Sequence, residues 1–151
     1  FILMNLESKI NNDLKEAMKS KDQAALRSIR AIKAAILLFK TDGSGNELDG
    51  ASEIKLLQKL VKQRQDSLDI YEKQGREDLA VTEREEIAVI MKYLPAQLSE
   101  EELRSAIRDI IAETGATSGK EMGKVISLAN QRLSGRAEGK AIAATVKELL
   151  G

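Results

Sequence analysis

Residues 52–74, which read SEIKLLQKLVKQRQDSLDIYEKQ, carry a pattern that determines the fold class. Five of their apolar residues share one helical face, and they are Ile54, Leu57, Val61, Leu68 and Tyr71. This spacing is typical of an amphipathic α-helix, whereas a half-buried strand alternates at every second residue. The pattern predicts a long helix that begins near Ser52 and ends before Gly75.

The same helical spacing continues on both sides of this segment, and no stretch alternates with period two. Two earlier helices are predicted from the apolar stripes Leu6, Ile10, Leu14, Met18 and Leu26, Ile29, Ile32, Ile36. A fourth helix follows a turn at residues 76–79 and carries Ile87, Ile90, Met91 and Leu94. Asp22 is the predicted N-cap of the second helix, and the glycine-rich residues 41–50 are predicted to form a surface loop. The chain is therefore expected to be all-α.

The single proline, Pro95, divides the predicted helices into two groups. Proline cannot continue a helix, and it disfavours helical geometry in the residue before it. We therefore expect an amino-terminal domain of about four helices at residues 4–95 and a carboxyl-terminal domain at residues 96–151. The apolar tripeptide ahead of Met4 is interpreted as residues left over from cloning and is excluded from both domains.

The carboxyl-terminal domain is predicted to be a three-helix bundle. Ser99 and Ser118 are each followed three residues later by glutamate, which is the spacing of a capping box. Gly115 and Gly135 are the expected ends of the first two helices, and the third is expected to start near Ala137.

Composition excludes most catalytic chemistry, because the chain has no His and no Cys. Catalytic triads, thiol nucleophiles, disulfides, Cys/His zinc sites and iron–sulfur clusters all require one of these residues. No catalytic residue, metal site or cofactor is predicted. Aromatic residues make up only 3% of the chain, so a surface that stacks bases is not expected.

Basic residues are concentrated around two predicted helix junctions of the carboxyl-terminal bundle, although the whole chain has 24 basic and 24 acidic residues. The candidate ligands of a phosphate backbone are Lys120, Lys124, Arg132, Arg136 and Lys140. Three nearby glycines would let backbone approach such a ligand closely, namely Gly123, Gly135 and Gly139. The alternatives are that these glycines serve helix ends and close helix packing, and that the charges only solvate exposed faces.

The sequence contains no apolar run of the length needed to span a membrane, and its first residues are too short for a signal peptide. No membrane association is expected, and the protein is expected to be cytoplasmic.

Several segments resemble the YqeY-like family and occur in the order of that family. They are VKQRQDS at 61–67, YEKQGREDL at 71–79, YLPAQLS at 93–99, MGKV at 122–125 and GRAEGK at 135–140. The family commonly has Asp where this chain has Glu138. The resemblance implies a two-part helical fold whose carboxyl-terminal bundle is similar to the tail domain of the B subunit of aspartyl/glutamyl-tRNA amidotransferase, which contacts tRNA.

The resemblance implies a tRNA-related binding protein without a catalytic centre, which contacts the tRNA backbone through the basic helix junctions. An alternative is a helical protein-interaction adaptor associated with a tRNA amidotransferase or synthetase complex. A third hypothesis is a component of glutamine-dependent carbon–nitrogen ligase activity. That activity would need an activated nucleophile, and the sequence displays no motif for one.

Overall fold

The computed structural model describes residues 5–42 and 47–151, and these residues form seven α-helices and no strand. In chain order they are α1 Leu6–Ser20, α2 Gln23–Lys40, α3 Gly50–Lys73, α4 Glu77–Met91, α5 Glu100–Thr114, α6 Met122–Arg132 and α7 Gly139–Leu150. A short 3-10 helix, Gly119–Glu121, leads directly into α6. The all-α prediction is confirmed. Residues 1–4 and part of the predicted loop, residues 43–46, lie outside the described residues.

The helices form two compact units that meet in sequence between Leu94 and Pro95. Each unit has its own apolar core. The first core is centred on Ile10, Ile32, Leu57 and Ile90, and the second on Ile107, Val125, Ile142 and Val146. None of the described helices is both long enough and apolar enough to cross a bilayer.

In the first unit, α4 packs against both α2 and α3, and α1 packs against α2.

A polar network at the edge of the first core joins α2, α3 and α4. Arg64 on α3 donates to Glu86 on α4 at 3.1 Å, and Arg27 on α2 lies 3.4 Å from the same carboxylate. Arg64 and Glu86 are only 16% and 14% exposed, so this pair is largely withdrawn from water. Burial and the nearby charge of Glu86 raise the pKa of Glu83.

Several helix ends differ from the predicted ones. The turn expected at residues 76–79 is mostly helical, because α4 begins at Glu77. Carboxylates favour the positive end of a helix, and Glu77 and Asp78 occupy its first turn, with Asp78 paired to Arg76 at 2.9 Å. In the second unit, α6 ends at Arg132 rather than at Gly135.

The predicted caps at Asp22 and Ser99 are confirmed. Asp22 accepts from the N–H of Ala25 at 3.1 Å. Ser99 accepts from the N–H of Glu102 at 3.1 Å, and Glu102 accepts in return from the Ser99 N–H at 3.0 Å. These backbone and side-chain hydrogen bonds to Ser99 lower the pKa of Glu102.

Ser99→Ala should lower the local stability of α5 by about 1 kcal/mol, because it removes the side-chain half of the capping box. Native-state amide hydrogen exchange read on the α5 amides measures this loss. Ser105→Ala, at an exposed position within the same helix, is the control and should not increase exchange. The same acceleration in both variants would contradict the capping role of Ser99.

Arg64→Leu should lower the free energy of unfolding by roughly 2 kcal/mol, because Glu86 would keep a largely buried charge without its closest partner. Lys19→Ala is the control, since its pair with Glu16 is highly exposed, and it should cost less than about 0.5 kcal/mol. Urea denaturation followed by circular dichroism compares the two. Similar losses in both variants would show that burial of the Arg64 pair has no special effect.

Candidate nucleic-acid interface

The five basic candidates are all exposed and fall into two groups at the two ends of α6. Lys120 lies in the 3-10 helix and Lys124 in the first turn of α6, whereas Arg132, Arg136 and Lys140 follow one another from the last turn of α6 into the first turn of α7. An eleven-residue helix is about 16 Å long, so the two groups are separated by roughly that distance along α6.

The turn between α6 and α7 is held by the segment that precedes α5. The N–H of Leu98 donates to the carbonyl oxygen of Arg136 at 2.8 Å, and the Gln97 side chain donates to the carbonyl oxygen of Gly135 at 2.6 Å. Gly135 is buried and has a φ of +78°, a conformation that glycine adopts without strain. The backbone of the turn is therefore fixed, while the Arg136 side chain remains exposed and lies 3.4 Å from the Ala96 carbonyl oxygen. Its charge also contributes, after the hydrogen bonds with Ser99, to the lowered pKa of Glu102.

The amino terminus of α7 has no side-chain cap. Its N-cap residue, Glu138, makes no capping hydrogen bond, and its first turn contains no acidic residue. Side chains cap four of the other described helices, through Asn5, Asp22, Asp49 and Ser99, whereas α4 and α6 share with α7 the lack of a side-chain cap. Because the first amides of a helix have no partner within it, α7 presents a partial positive charge beside Arg136 and Lys140.

Arg132 differs from the other candidates because its charge is already paired. Both terminal nitrogens of its guanidinium donate to the Glu113 carboxylate at the end of α5. This hydrogen bonding lowers the pKa of Glu113 and raises that of Arg132. An anion that binds Arg132 would have to compete with Glu113.

The remaining lysines, Lys120, Lys124 and Lys140, have no carboxylate within ion-pair distance among residues 5–42 and 47–151. Beside Lys124, Gly123 is exposed, and a Cβ added there would meet no heavy atom within 4 Å. Close helix packing therefore does not explain this glycine. At Gly139, an added Cβ would lie 4.0 Å from the Asn130 Oδ1, which is also ordinary contact.

Sequence reasoning missed two features of this region. The uncapped start of α7 was detectable, because Ala137, Glu138 and Gly139 include none of the favoured Ser, Thr, Asp or Asn caps. The Arg132–Glu113 pair left no local signal, since the two residues are 19 positions apart. In the part of the chain that the structure describes, no group of three acidic residues could hold a metal ion.

The chain is similar to fungal proteins named altered inheritance of mitochondria protein 41, mitochondrial. It is 35% identical to the Lachancea thermotolerans protein over 107 residues, which are 69% of this chain and 57% of that protein. It is 34% identical to the Clavispora lusitaniae protein over 118 residues, covering 74% and 65%. It is 29% identical to the Pyrenophora tritici-repentis protein over 150 residues, covering 95% and 80%. The chain thus spans less than two thirds of the first two relatives.

The expectation of a cytoplasmic protein is wrong, because these relatives are named as mitochondrial proteins. The expectation was drawn from the lack of an apolar span and of a signal peptide. Mitochondrial transit peptides are instead amphipathic and rich in Arg and Ser, so the lack of apolar segments does not distinguish the two compartments.

The family comparison covers nearly the whole chain. A family model described as Yqey-like protein matches residues 7–150, which include all seven helices except the first residue of α1. The match confirms the resemblance found in the sequence motifs, and it extends across both compact units. The chain therefore belongs to the family of Yqey-like proteins.

Proposed function

We propose that the protein binds tRNA through the turn between α6 and α7, without a catalytic centre of its own. The observation that carries the proposal is the amino terminus of α7, which has no side-chain cap and lies beside the exposed Arg136 and Lys140. A phosphate at this position would accept hydrogen bonds from the first amides of α7 and would be stabilised by the helix dipole. The planar guanidinium of Arg136 suits phosphate oxygens.

The second basic group favours an extended polyanion over a small one. Lys120 and Lys124 lie at the opposite end of α6, about 16 Å away along the helix, so a single phosphate cannot reach both groups. A nucleic-acid backbone can contact both. The open surface at Gly123 leaves room for such a backbone beside Lys120 and Lys124.

Recognition of this kind depends on shape and charge. Double-stranded RNA is contacted through its phosphates and 2′-hydroxyls, because its deep major groove is closed to side chains. The chain has few aromatic residues with which to stack single-stranded bases. The candidate phosphate contacts are therefore Arg136 and Lys140 at one end of α6 and Lys120 and Lys124 at the other, while Arg132 contributes little as long as Glu113 holds it.

The alternative function is a helical adaptor that docks on a tRNA amidotransferase or synthetase complex. The observation that favours it is an exposed apolar groove in the first unit, which a tRNA backbone would not need. Salt separates the two functions, because binding to phosphates weakens steeply with salt through counterion release, whereas an apolar contact is less sensitive.

The double variant Arg136→Ala/Lys140→Ala should weaken tRNA binding about tenfold or more at low salt and should reduce the slope of log K against log salt by roughly one to two. Mobility-shift titrations at several salt concentrations measure both quantities. Because the relatives are named as mitochondrial, mitochondrial tRNA is tested beside total tRNA.

The matched control is Arg108→Ala/Lys147→Ala. It removes one arginine and one lysine from exposed positions of the same unit, and so changes the net charge by the same amount. We expect it to weaken binding by less than about threefold, through the overall field alone. Equal weakening by both double variants would show that binding depends only on the net charge of the protein. The absence of any mobility shift for the wild-type protein at low salt would refute tRNA binding.

Gly123→Ala should raise the stability of the folded protein and weaken its binding to tRNA. Glycine within a helix costs about 1 kcal/mol relative to alanine, and the added Cβ meets nothing within 4 Å, so the variant should unfold at a higher temperature. If the RNA backbone approaches this surface closely, the same variant should bind tRNA less tightly. Thermal unfolding and the mobility-shift titration together test this, and unchanged affinity in a stabilised variant would place the RNA away from Gly123.

A further inference from the structure

The first unit contains a groove of about 600 Å³ between α2 and α3. The two helices make few direct contacts with each other, whereas α4 packs extensively against both of them. Four large apolar side chains line the groove, Leu38 and Phe39 from α2 and Leu56 and Leu60 from α3. This groove belongs to a different unit from the proposed tRNA interface and plays no part in it.

Leu38 is 70% exposed, although it is a large apolar residue at the end of a well-packed helix. The core-facing stripe of α2 contains Ile29, Ile32 and Ile36, and Leu38 falls outside it. Its neighbour Leu37 is 63% exposed but does not line the groove, since consecutive helical residues point about 100° apart. Leu37 instead lines a separate depression between α1 and α2, so the two leucines lie on different surfaces of the unit.

The groove is lined by two lysines on α3 and by one carboxylate, Asp42, just after α2, so its lining has a net positive charge. Lys55 and Lys59 line it on successive turns, and Gln63 follows one turn later. In the described ranges, 5–42 and 47–151, neither lysine has a carboxylate within ion-pair distance. Both side chains are exposed. After the hydrogen bonds from Ser52, the charge of Lys55 contributes to lowering the pKa of Asp49, so a partner that covers the apolar floor would share Lys55 with that carboxylate.

The shape of the groove suits a helix. The positions Lys55, Lys59 and Gln63 extend for about 12 Å along α3, which equals roughly two helical turns. A helix that lies in such a groove inserts apolar residues at i, i+3 or i+4, and i+7. Acidic residues beside that apolar stripe would face the two lysines, whereas basic residues would be repelled by them.

We propose that the groove between α2 and α3 is a docking site for an acidic amphipathic helix of a partner protein. Apolar side chains of that helix pack on Leu38, Phe39 and Leu56, and its carboxylates pair with Lys55 and Lys59. The floor provides the affinity, and the charged rim selects acidic helices over basic ones.

The test uses the full chain and two labelled synthetic peptides of about 14 residues, which share one stripe of leucines at helical spacing. One peptide has glutamates beside the stripe and the other has lysines. Fluorescence anisotropy should show saturable binding of the acidic peptide and at least about tenfold weaker binding of the basic one. Equal affinity for the two peptides, or no binding of the acidic peptide, would overturn the proposal.

Leu38→Glu should weaken binding of the acidic peptide by about tenfold or more, because it places a carboxylate on the apolar floor. Leu37→Glu is the matched control, with the same substitution at an adjacent and similarly exposed position outside the groove, and it should change affinity by less than about twofold. Urea denaturation confirms that both variants fold. Equal effects of the two substitutions would exclude the groove as the binding site.

Two further measurements distinguish other occupants. Sedimentation velocity of the free protein should show a monomer, and self-association that Leu38→Glu abolishes would identify a second copy of this chain as the occupant and overturn the proposal. Mobility-shift titration of Leu38→Glu with tRNA should match the wild-type protein, because the proposed tRNA interface lies in the other unit. Loss of tRNA binding in this variant would contradict the assignment of the groove to a protein helix.

Discussion

The hydrogen bonds from residues 96–98 to the turn between α6 and α7 determine the form of the candidate interface. Leu98 and Gln97 bind the carbonyl oxygens of Arg136 and Gly135, and so they fix a turn that has no regular secondary structure of its own. The positive φ of Gly135 allows the chain to reverse direction there. As a result, the Arg136 side chain and the start of α7 are held close together, which would reduce the entropy lost if the proposed phosphate binds there.

The two units offer chemically different surfaces. The second unit combines exposed cations with an uncapped helix terminus, which suits an anionic and strongly hydrated ligand. The first unit combines exposed apolar side chains with two lysines at the rim of a groove, which suits a folded polypeptide. The chain has equal numbers of basic and acidic residues, so its recognition properties depend on where the charges lie and which of them are paired.

The helical period of the sequence was sufficient to predict the fold class and most helices, because burial of an apolar stripe is a property of each segment. Helix ends were harder, because caps and terminal charges compete there, as the start of α4 at Glu77 shows. The sequence was sufficient to name the basic residues of the candidate site, but it did not show which of their charges are paired. Arg136 falls within a family motif and Arg132 was added because it lies nearby, but nothing in the sequence indicated that Glu113 already pairs with Arg132. The largely buried Arg64–Glu86 pair also joins residues that are distant in sequence, so the sequence alone gave no reason to distinguish Arg64 from an ordinary exposed charge.

The missing cap of α7 links the stability of this helix to the occupancy of the site. Four other helices have an acceptor side chain at their N-cap, whereas the N-cap side chain of α7, Glu138, makes no capping hydrogen bond. A bound phosphate would supply the acceptor, so it would act as an external cap as well as a ligand. Binding to the folded state alone stabilises that state by mass action. The last helix of the chain would then fray more readily in the free protein than in the complex, and its ordering would be part of the binding equilibrium.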